Sequence, residues 1–175
     1  MGAHDEQDKH TSAPSESPLS SCSPSLPLVL FVCDSNSARS VACEHIARQK
    51  YGEGFAFSSA GLTSKYERPK ANVVDALKRQ CGIDASQASC RLLSVVLRSA
   101  SPGLIVMLCC EPDALCERVP SSELPASVRV VSLPLPGPKD VGDDDTFIQI
   151  VQRAIEQDLP AFLKSVSSQR DPHAC

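Results

Sequence analysis

Residues 27–45, PLVLFVCDSNSARSVACEH, decide the fold of this chain. A run of five apolar residues, LVLFV, leads directly into Cys33, and Arg39 follows six positions later across small, mostly polar residues. An uninterrupted apolar run of this length is typical of a strand that is buried on both faces of a parallel sheet. The pattern that follows predicts a helix over residues 40–51. Cys33 is therefore expected at the carboxyl end of a buried strand, in a loop that leads into a helix.

The rest of the chain repeats this alternation of strands and helices. LIVML and VRVVSL are further apolar runs that suit buried parallel strands. Strands that alternate with helices imply an α/β fold, here a four-stranded parallel sheet with helices on both faces. Ligands of such sheets bind at the carboxyl ends of the strands. The predicted strands cover residues 28–32, 55–59, 104–108 and 128–133, and the predicted helices cover residues 40–51, 71–81, 89–99, 112–119 and 144–165.

One domain with two tails is expected in these 175 residues. Residues 1–26 are rich in Ser and Pro and poor in large apolar side chains, so they are predicted to be a disordered tail. Residues 27–166 form the predicted domain, and the polar residues 167–175 form a flexible carboxyl-terminal tail. The acidic start lacks both an apolar signal core and the arginines of a transit peptide, so a cytoplasmic location is expected.

Composition argues against two classes of partner. The chain carries 17 basic and 21 acidic residues, a net charge of -4, and no tryptophan. The chain has no basic run to bind a phosphate backbone and few aromatic rings on which bases could stack. No nucleic acid partner is therefore expected. The longest apolar runs are five or six residues, far below a membrane span, so no membrane partner is expected either.

The cysteines indicate chemistry rather than a disulfide framework. Nine cysteines are an odd number, and stable structural disulfides are rare in the cytoplasm. No C-x-x-C occurs, and the four histidines lie mostly in the tails, so no metal site and no bound cofactor are expected.

The loop after Cys33 has the features of an oxyanion site. Successive backbone N–H groups and the start of a helix form a concave anion site, and an arginine at that point can clamp two oxygens of a tetrahedral anion. The same field stabilises a thiolate, which would make Cys33 nucleophilic at neutral pH. Ser40 can donate a hydrogen bond to the sulfur, and Asn36 can hold the loop through its amide. The predicted oxyanion-binding residues are Asp34, Ser35, Asn36, Ser37, Ala38 and Arg39.

The alternative is that Cys33 is a buried cysteine at a strand end and that Arg39 is an ordinary residue of the helix. Free cysteine is among the most buried residue types. A cation in the first turn of a helix, however, opposes the helix dipole unless an anion binds there. The loop context therefore favours the functional interpretation.

Three stretches of the sequence carry a family resemblance: VLFVCDSNSARS, ACEHIAR and FSSAGLTS. They resemble the low-molecular-weight protein tyrosine phosphatase superfamily, which contains the thioredoxin-coupled arsenate reductases. The resemblance covers residues 28–166 and its loop has the form C-x5-R-S, although Ser35 and Ala38 replace a glycine and a second cysteine of the usual pattern. The resemblance implies a nucleophile, a loop-holding asparagine, an oxyanion clamp and a thiolate-supporting serine, in that order Cys33, Asn36, Arg39 and Ser40.

A second segment with cysteines helps to distinguish a phosphatase from an arsenate reductase. It covers residues 104–120 and reads LIVMLCCEPDALCERVP. Cys109 follows a predicted strand, as Cys33 does, so the two thiols should lie at the same edge of the sheet. Cys116 comes seven residues later on a predicted short helix, too far from Cys109 to bond unless that helix unwinds. The spacing L-C-x6-C resembles the redox segment of thioredoxin-coupled arsenate reductases.

The resemblance implies a thiol relay for arsenate reduction. Cys33 would attack arsenate, Cys109 would attack Cys33 and release arsenite, and Cys116 would move the disulfide outward. Thioredoxin would be the external reductant, with a glutathione or glutaredoxin route left open. The alternative is that Cys109, Cys110 and Cys116 are small apolar packing residues, and Cys110 could also compete as the resolving thiol.

The expected general acid is missing from its usual place. The family carries Asp-Pro after the last strand, whereas LPLPGPKDVGDDD at residues 133–145 has Leu135-Pro136. Asp140 is the nearest carboxylate and the candidate acid, while residues 143–145 suit an acidic cap of the last helix. Without an acid, phosphomonoesterase activity should fall by about 10² to 10⁴.

Two further departures concern the rim of the site. Arg91 stands where potassium-binding reductases carry an aspartate, so no potassium dependence is expected although Glu44 and Ser59 match. Tyr66 is the single aromatic residue near TSKYERPKAN, and one ring makes a weak slot for phosphotyrosine.

Three functions are therefore compared for a site whose substrate is a tetrahedral oxyanion: arsenate, phosphate or a phosphomonoester. The first is a thioredoxin-coupled arsenate reductase. The second is a low-molecular-weight phosphatase that works through a phosphocysteine on Cys33, its acid having moved. The third is an oxyanion-binding module without turnover.

Overall fold

A computed structural model describes residues 25–109, 119 and 121–167 of the chain. Within this part, four strands form one parallel sheet in the order β2-β1-β3-β4. The predicted α/β fold class is confirmed. The strands are β1 (Leu28–Cys33), β2 (Ala56–Gly61), β3 (Leu104–Met107) and β4 (Arg129–Ser132).

Six described helices surround this sheet: α1 (Arg39–Tyr51), α2 (Ala71–Cys81), α3 (Leu93–Ser99), α4 (Pro138–Val141), α5 (Asp144–Gln157) and α6 (Leu159–Ser167). A single 3-10 turn at Ser121–Glu123 precedes β4. None of the helices in the described part is long and apolar enough to cross a membrane.

The central strand β1 explains why the sheet is covered on both faces. Val29 and Phe31 pack into a cluster with α1, α2, α5 and α6, whereas Leu30 and Val32 pack on the opposite face with residues of α3. All four side chains are fully buried. Each such side chain stabilises the fold by about 1.5–3 kcal/mol relative to an exposed one. The side chains of this continuous apolar run are therefore buried on both faces of the sheet, as predicted.

The register brings three strand ends to one edge of the sheet. Cys33, the last residue of β1, pairs with Gly61 at the end of β2. On its other side β1 pairs with β3, with Val32 opposite Met107. Because all strands are parallel, the loops after β1, β2 and β3 emerge together there.

The predicted helix over residues 144–165 is wrong as a single element. It divides at Asp158 into α5 and α6. Pro160 has no N–H for the bond to the carbonyl four residues earlier, and its ring clashes with that carbonyl, so one helix cannot run through.

The predicted helix over residues 89–99 begins later than expected, at Leu93. The main chain of Cys90 and Arg91 is engaged elsewhere, as described below. The helix predicted over residues 112–119 lies outside the described residues except for Val119, and Cys110 and Cys116 lie outside them altogether.

Candidate active site

The loop that follows β1 runs over residues 34–38 and leads into α1. Asn36 has φ 51°, a left-handed conformation that asparagine tolerates better than most residues with a side chain. Ala38 at the N-cap offers no side-chain cap, and the first turn of α1 carries no acidic residue. The positive end of the helix is therefore left for a bound anion.

The orientation of the Asn36 amide follows from its partners. The backbone N–H of Arg91 donates to Asn36 Oδ1 at 2.7 Å, and because a backbone N–H can only donate, Oδ1 must face it. Asn36 Nδ2 then donates to Ser40 Oγ at 2.8 Å and to Ser59 Oγ at 2.9 Å. The amide thus links the loop to both α1 and β2.

This orientation leaves the hydroxyl hydrogen of Ser40 unused by Asn36. Its oxygen accepts from Asn36, so its hydrogen is available for Cys33 Sγ, which lies 3.0 Å away. Cys33 is 2% exposed, and Ser40 is fully buried. The predicted support of the thiolate by Ser40 agrees with this geometry.

Glu44 is a buried carboxylate behind the loop. Ser59 Oγ donates to Glu44 Oε2, and the Arg91 guanidinium donates to the same oxygen at 2.9 Å. Arg48 pairs with the other oxygen, Oε1. Two guanidinium groups therefore compensate one carboxylate.

The contact between Arg91 and Glu44 bears on the prediction that the protein does not depend on potassium. The Arg91 guanidinium lies on Glu44, where a potassium ion would need the side-chain oxygen. Among the residues that the structure describes, no group of three or more His, Cys, Asp and Glu side chains is arranged to hold a metal ion. Potassium independence stays a prediction.

Gly61 supports the loop from below, a role that the sequence analysis missed. A Cβ at this position would lie 2.8 Å from Asn36 N and 2.8 Å from the carbonyl carbon of Ser35. Both are backbone atoms of the oxyanion loop, so only glycine allows the loop to approach β2 this closely. The glycine two residues beyond the predicted strand, in FSSAGLTS, was the signal.

A cavity of about 230 Å³ opens above the loop. Its lining carries four cationic side chains against two carboxylates, although the whole chain has a net charge of -4. Such a surface attracts oxyanions. The lining residues are Cys33, Asp34, Ser35, Ser37, Ala38, Arg39, Lys65, Tyr66, Lys70, Gly137, Pro138, Lys139 and Asp140.

Two residues of this lining, an arginine and a tyrosine, were singled out in the sequence. Arg39, the predicted clamp, lines the cavity and donates to the Leu135 carbonyl at 3.4 Å. Tyr66 is the one aromatic residue of the described lining, with Lys65 Nζ 5.6 Å from its ring centroid. The predicted single ring is therefore in place at the mouth.

Asp140, the candidate general acid, lies in α4, a helix that the sequence analysis did not predict. Its carboxylate lines the cavity of Cys33 and accepts from Gly137 N–H at 2.8 Å. Asp143 instead caps α5 by accepting from Thr146 N–H at 2.8 Å, and that hydrogen bonding lowers its pKa. Both carboxylates therefore cap a helix, Asp140 at the start of α4 and Asp143 at the start of α5, but of the two only Asp140 lines the cavity.

The other thiols of the described part differ in surroundings. Cys109 is half-buried just beyond β3 and packs against the same apolar cluster that contains Cys33. Cys43 is fully buried in α1, and its burial strongly raises its pKa. Cys90 donates from Sγ to the carbonyl of Asn36 at 2.9 Å. Cys90 therefore belongs to the support of the loop.

Comparisons with known proteins agree with this architecture. Residues 28–171 match the family described as low molecular weight phosphotyrosine protein phosphatase. An arsenate reductase of Staphylococcus aureus (strain bovine RF122 / ET3-1) is 32% identical over 95 residues, which are 54% of this chain and 69% of that protein. Arsenate reductase 2 of Staphylococcus saprophyticus is 33% identical over 93 residues, 53% of this chain and 67% of that protein.

Two solved structures resemble the chain in fold. The crystal structure of YfkJ from Bacillus subtilis has a TM-score of 0.63 at 21% identity, covering 81% of this chain and 97% of that one. A structure titled as an arsenate reductase in the phosphate binding state has a TM-score of 0.60 at 19% identity, covering 82% and 98%. At these identities the likeness supports the fold alone.

Proposed function

This chain is an enzyme of the low molecular weight phosphotyrosine protein phosphatase family, and from that premise we propose that it reduces arsenate to arsenite through a thiol–disulfide relay. The observation that carries the proposal is the position of Cys109, at the same sheet edge as Cys33 and packed against the same apolar cluster. A hydrolase needs no second thiol there. The arsenate reductases among the relatives add support.

In the first step the loop and Arg39 hold arsenate over Cys33. The thiolate attacks arsenic, a sulfur–arsenic bond forms, and one arsenate oxygen leaves as water after protonation. Asp140 is the carboxyl group that lines the cavity next to Pro138 and Lys139 and can supply that proton.

In the second step the Cys109 thiolate attacks Cys33 Sγ. The sulfur–arsenic bond breaks and its electron pair stays on arsenic, which is thereby reduced from arsenic(V) to arsenic(III) and leaves as arsenite. Cys33 and Cys109 are left as a disulfide, so the two thiols have supplied the two electrons.

In the third step Cys116 attacks Cys109 and releases the Cys33 thiolate, leaving a disulfide between Cys109 and Cys116 for thioredoxin to reduce. This role of Cys116 rests on the sequence spacing alone. No bound cofactor is required, since the electrons come from thioredoxin. We assign the reaction to the cytoplasm, where thiols are kept reduced.

The test is arsenate-dependent NADPH oxidation in the presence of thioredoxin and thioredoxin reductase. Cys33→Ser, Cys109→Ser and Cys116→Ser are each expected to lose turnover, because each removes one thiol of the relay. Cys81→Ser is the matched control, since Cys81 lies at the end of α2, outside the lining of the cavity. An inactive wild type, or a Cys109→Ser variant with full activity, contradicts the proposal.

Hydrolysis of phosphomonoesters is the second candidate, favoured by Asp140. A phosphatase needs an acid to protonate the leaving oxygen, and Asp140 lines the same cavity as Cys33. In that case the chain turns over an aryl phosphate through a phosphocysteine on Cys33. Cys109→Ser and Cys116→Ser then retain wild-type rates, which separates this function from the relay.

A further inference from the structure

Arg91 contacts the support of the active-site loop at three points. Its N–H donates to Asn36 Oδ1 at 2.7 Å, and its carbonyl accepts from Gly61 N–H at 2.8 Å. Its guanidinium donates to Glu44 Oε2 at 2.9 Å. Any residue could make the two main-chain contacts, but the third needs a cationic side chain that reaches Glu44.

A continuous series of hydrogen bonds leads from that guanidinium to the nucleophile. Glu44 Oε2 accepts from Arg91 and from Ser59, so the cation and the hydroxyl share one oxygen. Ser59 accepts in turn from Asn36, whose second amide hydrogen goes to Ser40, the partner of Cys33. The donors are fixed from Arg91 as far as Ser40 Oγ, and at the last contact Ser40 is the donor once Cys33 is a thiolate, which can only accept.

The charge of Glu44 has to be compensated by cations, and Arg91 is one of the two that bond to it. The Glu44 side chain is only 7% exposed, and it lies behind a loop that has to hold a thiolate and an oxyanion. An uncompensated carboxylate there would oppose both anions and would carry a large desolvation cost. Arg91, 40% exposed, supplies the opposite charge from the surface.

Arg48 compensates the same carboxylate in a different way. It pairs with Oε1 and donates to the Phe57 carbonyl at 3.0 Å, so it ties Glu44 to β2. Among the described residues, Arg91 is the cation that bonds to Oε2, the oxygen that also accepts from Ser59.

We propose that Arg91 is a positioning residue, whose guanidinium acts through Glu44, Ser59 and Asn36 to hold Ser40 on Cys33. This role of Arg91 rests on the proposed function only because it takes Cys33 as the nucleophile. A reductase and a phosphatase share that nucleophile. The readout can therefore be the reactivity of Cys33 itself, which does not depend on which reaction the enzyme performs.

The measurement is the rate of Cys33 carboxymethylation by iodoacetate at neutral pH, followed on the Cys33 peptide by mass spectrometry in the full chain. Arg91→Met is expected to slow it about three- to tenfold, the size of coupling seen within one hydrogen-bond network. Arg91→Lys keeps the charge and is expected to keep most of the rate. Arg98→Met is the matched control, because Arg98 is exposed on α3.

A double-mutant cycle tests whether Arg91 acts on Cys33 through Glu44. In a Glu44→Gln background the guanidinium has no carboxylate to hold, so Arg91→Met is expected to change the rate by less than about twofold. Arg91 has no such role if Arg91→Met alkylates like wild type, or if it slows the reaction equally with and without Glu44. Arg91→Lys keeps the proposal testable should Arg91→Met fold poorly.

Discussion

The side chain of Asn36 uses every hydrogen-bonding group that it has. Its oxygen accepts from Arg91, and its two amide hydrogens go to Ser40 and Ser59. These bonds offset the cost of a left-handed backbone, about 1–2 kcal/mol for a residue with a Cβ. One residue therefore joins the loop, α1, β2 and the segment before α3.

Gly61 gives a prediction at the same scale. Gly61→Ala places a methyl group 2.8 Å from two backbone atoms of the loop, so the loop has to move away from β2. We expect turnover to fall about 10²-fold, because misplacing a catalytic loop by about 1 Å has that effect. Stability should fall by about 1–3 kcal/mol, as for other overpacked sites.

The measurement is kcat together with the urea midpoint of unfolding. Gly54→Ala is the control, since the nearest atom to its added Cβ is Tyr51 O at 4.0 Å. If Gly61→Ala keeps wild-type kcat, the close approach of loop and strand has no functional role.

The residues of the loop and the contact of Ser40 with Cys33 were predictable from sequence, but the loop's partners from distant parts of the chain were not. Cys33, Asn36, Arg39 and Ser40 lie within one short motif, whose chemistry is legible from spacing. Cys90 and Arg91 reach the loop only because the chain returns there after α2, 54 and 55 positions after Asn36. No local pattern marks such a contact.

At the scale of elements, α4 holds the residue whose role is least certain from sequence. A four-residue helix at Pro138–Val141 turns Asp140 into the cavity lining. Asp140→Asn is expected to lower kcat for an aryl phosphate or for arsenate by about 10²-fold or more, since the variant can no longer protonate the leaving oxygen. The effect should grow as the leaving group becomes more basic.

Asp143→Asn is the control for this prediction. It also removes one carboxylate near α4, but asparagine caps a helix about as well as aspartate does, so α5 is retained. Equal rates for both variants and wild type would show that the proton comes from another group.

The predicted helix boundaries were wrong where a single residue or a tertiary contact overrides the periodic pattern of apolar residues. The apolar period continues past Pro160, which concealed the break between α5 and α6, although the proline itself was visible. The late start of α3 has another cause: the N–H of Cys90 donates to the carbonyl of Glu67, and the main chain of Arg91 bonds to Asn36 and Gly61.

At the scale of the whole molecule, titratable groups in the interior predict a pH range of highest stability. Burial raises the pKa of Cys43 in the folded state, so above pH 9 the unfolded chain loses this proton first and stability falls. Burial lowers the pKa of His45, so below pH 6.5 the unfolded chain gains a proton first and stability also falls. Stability from these groups is therefore highest between pH 6.5 and 9.0.

Urea unfolding at several pH values tests this range. Above pH 9.0, Cys43 alone should cost about 1.4 kcal/mol per pH unit. Cys43→Ala is expected to flatten the alkaline side and His45→Gln the acid side. A Cys43→Ala variant with an unchanged alkaline slope would assign that slope to other groups.

The order of the strands has a consequence for how the protein is made. β1 is the first strand of the described residues but lies inside the sheet, and its neighbours β2 and β3 begin only at residues 56 and 104. Parallel pairing is non-local, so the sheet cannot close around β1 until β3 has been synthesised. Until then the growing chain carries Cys33 as a thiol without its anion site, and Asp140 is added later still. Cys33, the proposed nucleophile, is thus translated among the first parts of the domain, whereas its surroundings are completed among the last.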